Sequence, residues 1–328
     1  MKYHLLLFSI LLFGWACSSD KKTETGKPAV ILDTDIGPDY DDVGAVAVLH
    51  ALADSGEVVP LAIIASNANA LVVPAIEILN NYFGRPDLPT GAPKGPNAPD
   101  SKATQGWPEM IAAKYPHKTK STADAPDALE TYRKILAAQP DSSVTIVTVG
   151  FLTNMASLLD SKADAHSELS GKELISKKVK RLVSMAGKFP EGREFNVYID
   201  SVASEKVFTQ WPTEIIFSGF EIGYEVVTGL RLIQREDSES PVKDAYARAM
   251  SFSKGDSLGR QSWDQTAVLA AVRGAGPYFD LQRGHYVPMG GNNGWKDDPN
   301  GSHAYLKFKM PPSEITRIIE DLMMHKKK

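Results

Sequence analysis

The sequence contains a single cysteine, Cys17, so no disulfide can form within the chain. No apolar run is long enough to span a bilayer as a permanent helix, and the early run from Leu5 to Phe13 is too short. Basic residues form no long cluster apart from Lys326 to Lys328, and the formal charge is −4. This charge pattern gives no support for nucleic-acid binding. No internal repeat is visible, which argues against a solenoid or a propeller.

The first residues are typical of a targeting segment. A short apolar run precedes Gly14-Trp15-Ala16, and Cys17 follows directly. Small residues around a lone cysteine resemble the lipobox of bacterial lipoproteins, although an ordinary secretory signal is the alternative. We predict a signal peptide over residues 1–16 and a lipidated Cys17 at the start of a flexible tether over residues 17–28. The expected location is the cell envelope, with the exported protein attached to a membrane by its lipid anchor.

About 300 residues remain after Cys17, and the whole chain is 43% hydrophobic. That is ample for a sizeable core, and we predict one catalytic domain over residues 29–328. Buried strands alternate with amphipathic helices, which is typical of an α/β fold with a doubly wound, mostly parallel sheet. The strands are predicted at 29–32, 58–65, 144–149, 180–185 and 214–217. Residues 86–126 are expected to form a long irregular excursion, and the last third is more mixed.

The most unusual stretch places five carboxylates within residues 33–42, directly after an apolar strand. They are Asp33, Asp35, Asp39, Asp41 and Asp42. Some of this charge is favoured by the N-terminus of the helix that follows. Five carboxylates at one turn nevertheless repel one another, and a bound divalent cation relieves that repulsion. Oxygen-only ligands suit Ca²⁺ or Mg²⁺ rather than zinc.

Three further polar clusters follow strand ends, at residues 66–69, 150–154 and 187–196. The carboxyl ends of parallel strands lie on one edge of a sheet, so we expect the active site at that edge. Trp263-Asp264-Gln265 opens a later apolar helix. Asp264 there is either functional or a first-turn charge that matches the helix dipole.

Taken in order, these clusters resemble the motifs of the inosine-uridine-preferring nucleoside hydrolase family. The resemblance runs from about Ala29 to the C-terminal helix. The matching segments are Asp33 to Asp42, Ile64-Ala65-Ser66-Asn67, Val149 to Asn154, Glu194-Phe195-Asn196, and Ser262 to Leu269. Five ordered motifs are stronger evidence than one aspartate cluster.

The resemblance implies a Rossmann-like nucleoside hydrolase fold and a Ca²⁺-dependent hydrolysis of the N-glycosidic bond of ribonucleosides to ribose and free base. It implies Asp35, Asp42, Asp264 and the backbone carbonyl of Val149 as calcium ligands. Asp35 is also the implied general base, and Asp33 is the implied supporting residue. The implied substrate-binding residues are Asp41, with Asp39 as its alternative, together with Asn67, Glu194, Asn196 and Trp263. Homo-oligomers are common in that family.

The chemistry suits these residue types. Hydrolysis builds positive charge on the ribose ring, which nearby carboxylates stabilise. A bound cation lowers the pKa of a water molecule, and a carboxylate can take the proton.

One position departs from the family. Members often have a histidine before the late aspartate, acting as an acid towards the base, whereas Trp263 stands here. An indole can stack on a base but cannot deliver a proton at neutral pH. This leaves open what activates the leaving group and which base is released. A non-catalytic lipoprotein that binds a sugar or nucleoside is therefore an alternative.

A second alternative is a haloacid-dehalogenase-type phosphatase, because Asp33-Thr34-Asp35 is similar to its nucleophile motif. That motif requires Thr or Val two residues after the second aspartate, where this chain has Gly37. The phosphatase also leaves Asp41 and Asp42 unexplained.

Overall fold

A computed structural model describes residues 26–95, 98–236 and 239–326 of the chain. The predicted signal peptide and Cys17 lie outside these residues, so both stay predictions. Within the described part, none of the helices combines the length and the apolar character needed to cross a membrane.

Ten strands form one sheet and two short strands form another. The strands are β1 (Ala29–Thr34), β2 (Val59–Ala65), β3 (Thr90–Gly91), β4 (Val144–Thr148), β5 (Val179–Met185), β6 (Gly192–Arg193), β7 (Glu214–Ser218), β8 (Val227–Thr228), β9 (Arg260–Gln261), β10 (Phe279–Met289), β11 (Asn292–Asp297) and β12 (His303–Phe308). The order in the large sheet is β3-β2-β1-β4-β5-β7-β12-β10-β11-β6. From β3 at one edge through β12, each strand in this order is parallel to its neighbour. The last three strands, β10, β11 and β6, are each antiparallel to the strand before them. The predicted mostly parallel sheet is confirmed.

Helices cover both faces of this sheet. They are α1 (Asp41–Asp54), α2 (Val72–Tyr82), α3 (Trp107–Lys114), α4 (Ala128–Ala138), α5 (Thr153–Asp160), α6 (Gly171–Lys178), α7 (Phe195–Ile199), α8 (Ser201–Gln210), α9 (Phe220–Glu225), α10 (Leu230–Ile233), α11 (Pro241–Phe252), α12 (Trp263–Arg273) and α13 (Pro312–Met323). Strand β1 shows the layering, because Val30 and Leu32 join one hydrophobic cluster while Ile31 between them joins the other. Side chains alternate along a strand, so both faces of β1 are buried.

Two local expectations were incomplete. The excursion over residues 86–126 contains helix α3, which begins at Trp107, a fully buried residue. Proline and glycine around it obscured the pattern, and burial of the indole accounts for its docking. In the last third, the hairpin β10–β11 turns at Gly290 and Gly291, whose φ angles are +60° and +88°. The last third was expected only to be mixed in structure, and β11 begins at Asn292, directly after these two glycines.

Helices α1 and α12 approach closely, and this contact shapes the site. A Cβ atom added to Gly44 of α1 would lie 2.4 Å from Gln265 Nε2 and 2.6 Å from Tyr246 Oη. Only glycine leaves room for this approach. Because Asp42 is in the first turn of α1 and Asp264 is in the first turn of α12, the close contact brings the two carboxylates to the same place.

Candidate active site

A cavity of about 290 Å³ opens at the carboxyl edge of the parallel strands, as expected from the fold. Its walls come from strand ends and helix starts across the sheet. The lining residues are Asp35, Asp39, Asp41, Asp42, Val149, Met185, Arg193, Glu194, Phe195, Asn196, Phe220, Arg260, Trp263 and Asp264. Most of the predicted site residues are therefore brought together, and Asp33 and Asn67 are not among the lining residues.

Asp35 stands just past the end of β1 and is 5% exposed. A Cβ atom on Gly150 would lie 2.6 Å from Asp35 Cβ, so the turn after β4 reaches Asp35 only because residue 150 is glycine. Burial raises the pKa of Asp35 well above its ordinary value, and Asp42 and Asp39 nearby raise it further. A carboxylate with a raised pKa is suited to accept a proton near neutral pH.

Three carboxylates form a compact cluster beside Asp35. One oxygen each from Asp41, Asp42 and Asp264 can be chosen so that all lie within 4.8 Å of one another, and all three residues are buried. Burial raises the pKa of Asp42 and Asp264 well above the ordinary value, and repulsion by neighbouring carboxylates, above all Asp41, adds to this effect. Buried carboxylates that repel one another form a donor set that fits a hard, oxygen-binding cation such as Ca²⁺. The geometry places Asp41 in this cluster, while Asp35 lines the same cavity outside it.

A hydroxyl group orients one member of the cluster. Thr34 Oγ1 donates a hydrogen bond of 2.5 Å to Asp42 Oδ1. The same Oγ1 accepts a hydrogen bond from the backbone N–H of Ile36 at 3.2 Å. Thr34 therefore holds Asp42 in place from the last position of β1.

Asp33 lies beneath the cavity as a fully buried group. Its Oδ2 accepts hydrogen bonds from Tyr132 Oη at 2.7 Å and Asn154 Nδ2 at 2.9 Å. Within the described residues its Oδ1 has no hydrogen-bond partner. Burial raises the pKa of Asp33 to about 7, and the hydrogen bonds limit the rise. These contacts tie β1 to α4 and α5, which agrees with a supporting role.

Asn67 is fully buried and engages the backbone. Its Nδ2 donates to Asp35 O at 2.9 Å and to Ser101 O at 2.8 Å. Its Oδ1 accepts from the N–H groups of Asn69 and Ser101, each at 3.0 Å. The side chain thus holds the loop at residue 101 against the backbone of Asp35, and its predicted contact with the sugar stays a prediction.

Glu194 and Asn196 enter the cavity from the start of α7. The Glu194 carboxylate accepts three backbone N–H groups, from Asn196 at 2.8 Å, Val197 at 3.1 Å and Gly187 at 3.2 Å. Burial raises the pKa of Glu194 to about 7, although these hydrogen bonds oppose the rise. Asn196 Nδ2 lies 3.3 Å from the carbonyl oxygen of Val149, the group expected to bind calcium.

The aromatic wall of the cavity is formed by Trp263 and Phe220, whose ring centroids are 5.3 Å apart. The indole N–H of Trp263 donates to the carbonyl oxygen of Phe220 at 2.8 Å. The indole N–H is therefore engaged by the protein, and Trp263 offers its ring to a ligand.

Sequence reasoning did not identify Arg260 or Arg193 as site residues. Arg260 Nη2 lies 2.6 Å from Asp39 Oδ1 and 3.2 Å from Asp41 Oδ1. Burial lowers the pKa of Arg260, but the surrounding carboxylates outweigh this effect and keep the guanidinium charged. Arg193 lies against the ring of Tyr198, 3.2 Å from its centroid. A usable signal for both was their position, four residues before Asp264 and directly before Glu194.

The family model described as inosine-uridine preferring nucleoside hydrolase matches residues 30–300. The pyrimidine-specific ribonucleoside hydrolase RihA of Salmonella paratyphi B is 30% identical over 248 residues, covering 68% of this chain and 70% of the relative. A shorter match to the protein of the same name from Salmonella newport is 32% identical over 136 residues and spans 38% of each chain.

Among solved structures, the inosine-uridine preferring nucleoside hydrolase of Bacillus anthracis has the same fold, with a TM-score of 0.65 and 16% identity over 90% of this chain and 99% of that one. The family match covers well over half of the sequence and includes the predicted site residues. The chain therefore belongs to the inosine-uridine preferring nucleoside hydrolase family, a family of N-glycosyl hydrolases.

Proposed function

We propose that the protein hydrolyses the N-glycosidic bond of ribonucleosides, or of related N-ribosides, with Ca²⁺ as its cofactor. The observation that carries this proposal is the cluster of Asp41, Asp42 and Asp264 beside Asp35 at the floor of one cavity. Membership of a nucleoside hydrolase family supports the proposed reaction, and the all-oxygen donor set supports the choice of cation.

The residues that line the cavity have different proposed roles. Asp42 and Asp264, with the carbonyl oxygen of Val149, would hold the cation, and Asp35 or Asp41 would complete the ligand set. When bound, Ca²⁺ supplies Lewis acidity that lowers the pKa of a coordinated water. Asp35 takes the proton of the attacking water, because its carboxylate lines the cavity beside the cluster that would hold the cation.

The remaining lining residues bind the substrate. Asn196 and Glu194, which line the cavity, bind the sugar hydroxyls together with Asp39 or Asp41. As the bond to the base breaks, positive charge grows on the ribose ring, and the buried carboxylates stabilise it. Trp263 stacks on the base.

The test is the release of reducing sugar by the purified full chain from inosine, uridine and their 2′-deoxy analogues. We expect release from the ribonucleosides alone, with the deoxy analogues at least about 100-fold slower, because a missing hydroxyl leaves buried polar groups unpaired. Chelation should abolish release, and added Ca²⁺ should restore it. Uridine is included because the relatives from Salmonella carry a pyrimidine-specific name.

Two outcomes would contradict the proposal. Release that persists in protein freed of metal would remove the cofactor. The absence of release from every riboside, in protein that contains calcium, would favour the non-catalytic binding protein instead.

We also propose that Cys17 is lipidated and anchors the exported protein to a membrane of the cell envelope. The support is the small-residue context of this lone cysteine. In cells, Cys17→Ser should move the protein from the membrane fraction to the soluble fraction, whereas Ser18→Ala should not. Membrane association that is unchanged in Cys17→Ser would refute the lipid anchor.

A further inference from the structure

We propose that Arg260 stabilises the leaving base, by donating hydrogen bonds to the negative charge that the base acquires as the C1′–N bond breaks. This inference rests on the proposed hydrolysis of ribonucleosides. It answers the question that Trp263 raises, because an indole cannot supply a proton to the base.

The guanidinium of Arg260 has hydrogen-bonding capacity left. Its Nη2 is engaged by Asp39 Oδ1 at 2.6 Å and Asp41 Oδ1 at 3.2 Å, and its Nε lies 3.4 Å from the same Asp41 oxygen. Its Nη1 lies 4.0 Å from Asp256 Oδ2, which is beyond hydrogen-bond distance. Over residues 26–95, 98–236 and 239–326, Nη1 makes no hydrogen bond, so two of the five N–H donors are available.

Apart from Arg193, the other side-chain N–H donors that line the cavity are engaged. The lining residues in the described part of the chain include no His, Lys, Tyr or Cys. The Trp263 N–H is bonded to Phe220 O, and the Glu194 carboxylate is held by backbone N–H groups. Arg193 is exposed and stacked on Tyr198, whereas the Arg260 side chain is only 13% exposed. A hydrogen bond from a charged donor is stronger when it is shielded from water.

Arg260 lies beside the residue proposed to stack on the base. Its guanidinium carbon lies 5.1 Å from the centroid of a Trp263 ring, and both residues line the cavity. A base stacked on Trp263 would therefore lie within reach of Arg260. Asp39 and Asp41 hold the guanidinium in this orientation, so little entropy is lost when it donates to a ligand.

The oxygen of water forms a bond to C1′, and the C1′–N bond breaks with its electron pair moving to the nitrogen of the base. The proton of the water goes to Asp35. Arg260 keeps its own proton, because a guanidinium does not deprotonate in proteins, and the base anion takes a proton from solvent as Asp35 returns one. The contribution of Arg260 to the rate is therefore largest for leaving groups that stabilise negative charge poorly.

The proposal can be tested with two substrates whose leaving groups differ in this property. In the full-length protein with saturating Ca²⁺, inosine and 4-nitrophenyl β-D-ribofuranoside are compared, since 4-nitrophenolate leaves as a stable anion without help. We expect Arg260→Gln to lower kcat/KM for inosine about 100-fold, the effect of losing one preorganised donor. For the nitrophenyl riboside the change should stay within about threefold. The control is Arg273→Gln, which removes an ion pair with Glu57 outside the cavity. It should change kcat/KM for neither substrate.

Two further measurements separate positioning from folding. Calcium binding by calorimetry should be the same in wild type and Arg260→Gln within about threefold, because Arg260 is not a ligand. If Arg260→Gln does not fold, Arg260→Lys carries the same comparison, since it keeps the charge and loses the planar donors. An inosine-selective loss in that variant supports the proposal.

Each other result overturns it. Equal losses on both substrates would mean that Arg260 acts only by holding Asp39 and Asp41. An undiminished rate on inosine would mean that the leaving base does not need it. A wild-type protein that hydrolyses neither substrate would first refute the proposed function, and this inference with it.

Discussion

Helix α1 carries aspartates at both of its ends, and the fold gives them opposite environments. At its N-terminus Asp41 and Asp42 are buried beside a third carboxylate, Asp264. At its C-terminus Asp54 accepts hydrogen bonds from two basic side chains, Arg85 and His325. The same residue type in one helix is therefore crowded with acids at one end and paired with bases at the other.

The pKa values follow the partners. Burial raises the pKa of Asp41 to about 6, even with Arg260 beside it, and raises that of Asp42 well above its ordinary value. Partial burial also acts to raise the pKa of Asp54, but its hydrogen bonds from His325 and Arg85 outweigh this and hold the pKa below its usual range. A cluster that destabilises its own charged form is suited to bind a cation, whereas a paired surface acid serves stability.

The largest effect should come from the general base next to the N-terminal cluster. Asp35→Asn should lower kcat on ribonucleosides about 1,000-fold, because the amide cannot take the proton of the water. Calcium content, measured by elemental analysis, should persist, since the three clustered carboxylates remain. Asp54→Asn is the matched control and should leave kcat unchanged. Activity within tenfold of wild type in Asp35→Asn would contradict the assignment of the base.

Calcium itself should stabilise the protein through the N-terminal end of α1. At a free concentration of about 100 times its Kd, the free energy of unfolding should rise by about 2.7 kcal/mol. A thermal melt should then shift upward by about 5 °C. Asp42→Asn should abolish most of this shift and Asp54→Asn should retain it. An equal shift in both variants would place the calcium elsewhere.

Removing the hydroxyl group that orients Asp42 should have a smaller effect. Thr34→Val deletes the hydrogen bond to Asp42 Oδ1 while keeping the shape of the side chain. Calcium affinity measured by calorimetry should fall about tenfold, as for other groups that position a ligand. Thr131→Val, which removes a hydrogen bond to the backbone of Asp127, is the control and should not change it. Unchanged affinity in Thr34→Val would show that Asp42 needs no support.

The smallest effect should be at the C-terminal end of α1. Asp54→Asn should lower the free energy of unfolding by less than about 1 kcal/mol at neutral pH, because the pair is exposed and screened by water. The folded-state pKa of Asp54 is depressed, so its contribution is present above the unfolded value of 3.8 and is lost as pH falls below it. Urea melts of wild type and variant should therefore converge as the pH falls below 3.8. A loss of unfolding free energy in Asp54→Asn that increases at acidic pH would contradict this prediction.

Much of the fold could be predicted from local pattern. Continuous apolar runs predicted the buried parallel strands, and the strand predicted over residues 214–217 lies within β7. Helix α3 was not found, because the surrounding prolines and glycines resemble a loop and only the burial of Trp107 orders it. Helix α6 was also not predicted, although Ser170 and Glu173 form a capping box that could have revealed it.

The candidate site, like the fold, was predicted only in part. Asp35, Asp42 and Asp264 were predicted from strand ends and from family motifs, and the structure brings all three to one cavity. Arg260 was not predicted as a site residue, because it reaches the cavity from β9, which forms a short antiparallel pair with β8. No periodicity marks a two-residue strand, and pairing across about 30 residues of sequence is invisible to a local pattern.

The sequence by itself determined which groups are available: a run of acids after a buried strand, polar residues after others, and a tryptophan where relatives often have a histidine. The tertiary structure alone decided which acids share a space. Gly44 lets α12 approach α1, and Gly150 lets the turn after β4 reach Asp35. The reason is physical, since repulsion, burial and hydrogen bonding act over a few ångströms between segments far apart in the chain, and only the packed fold sets those distances.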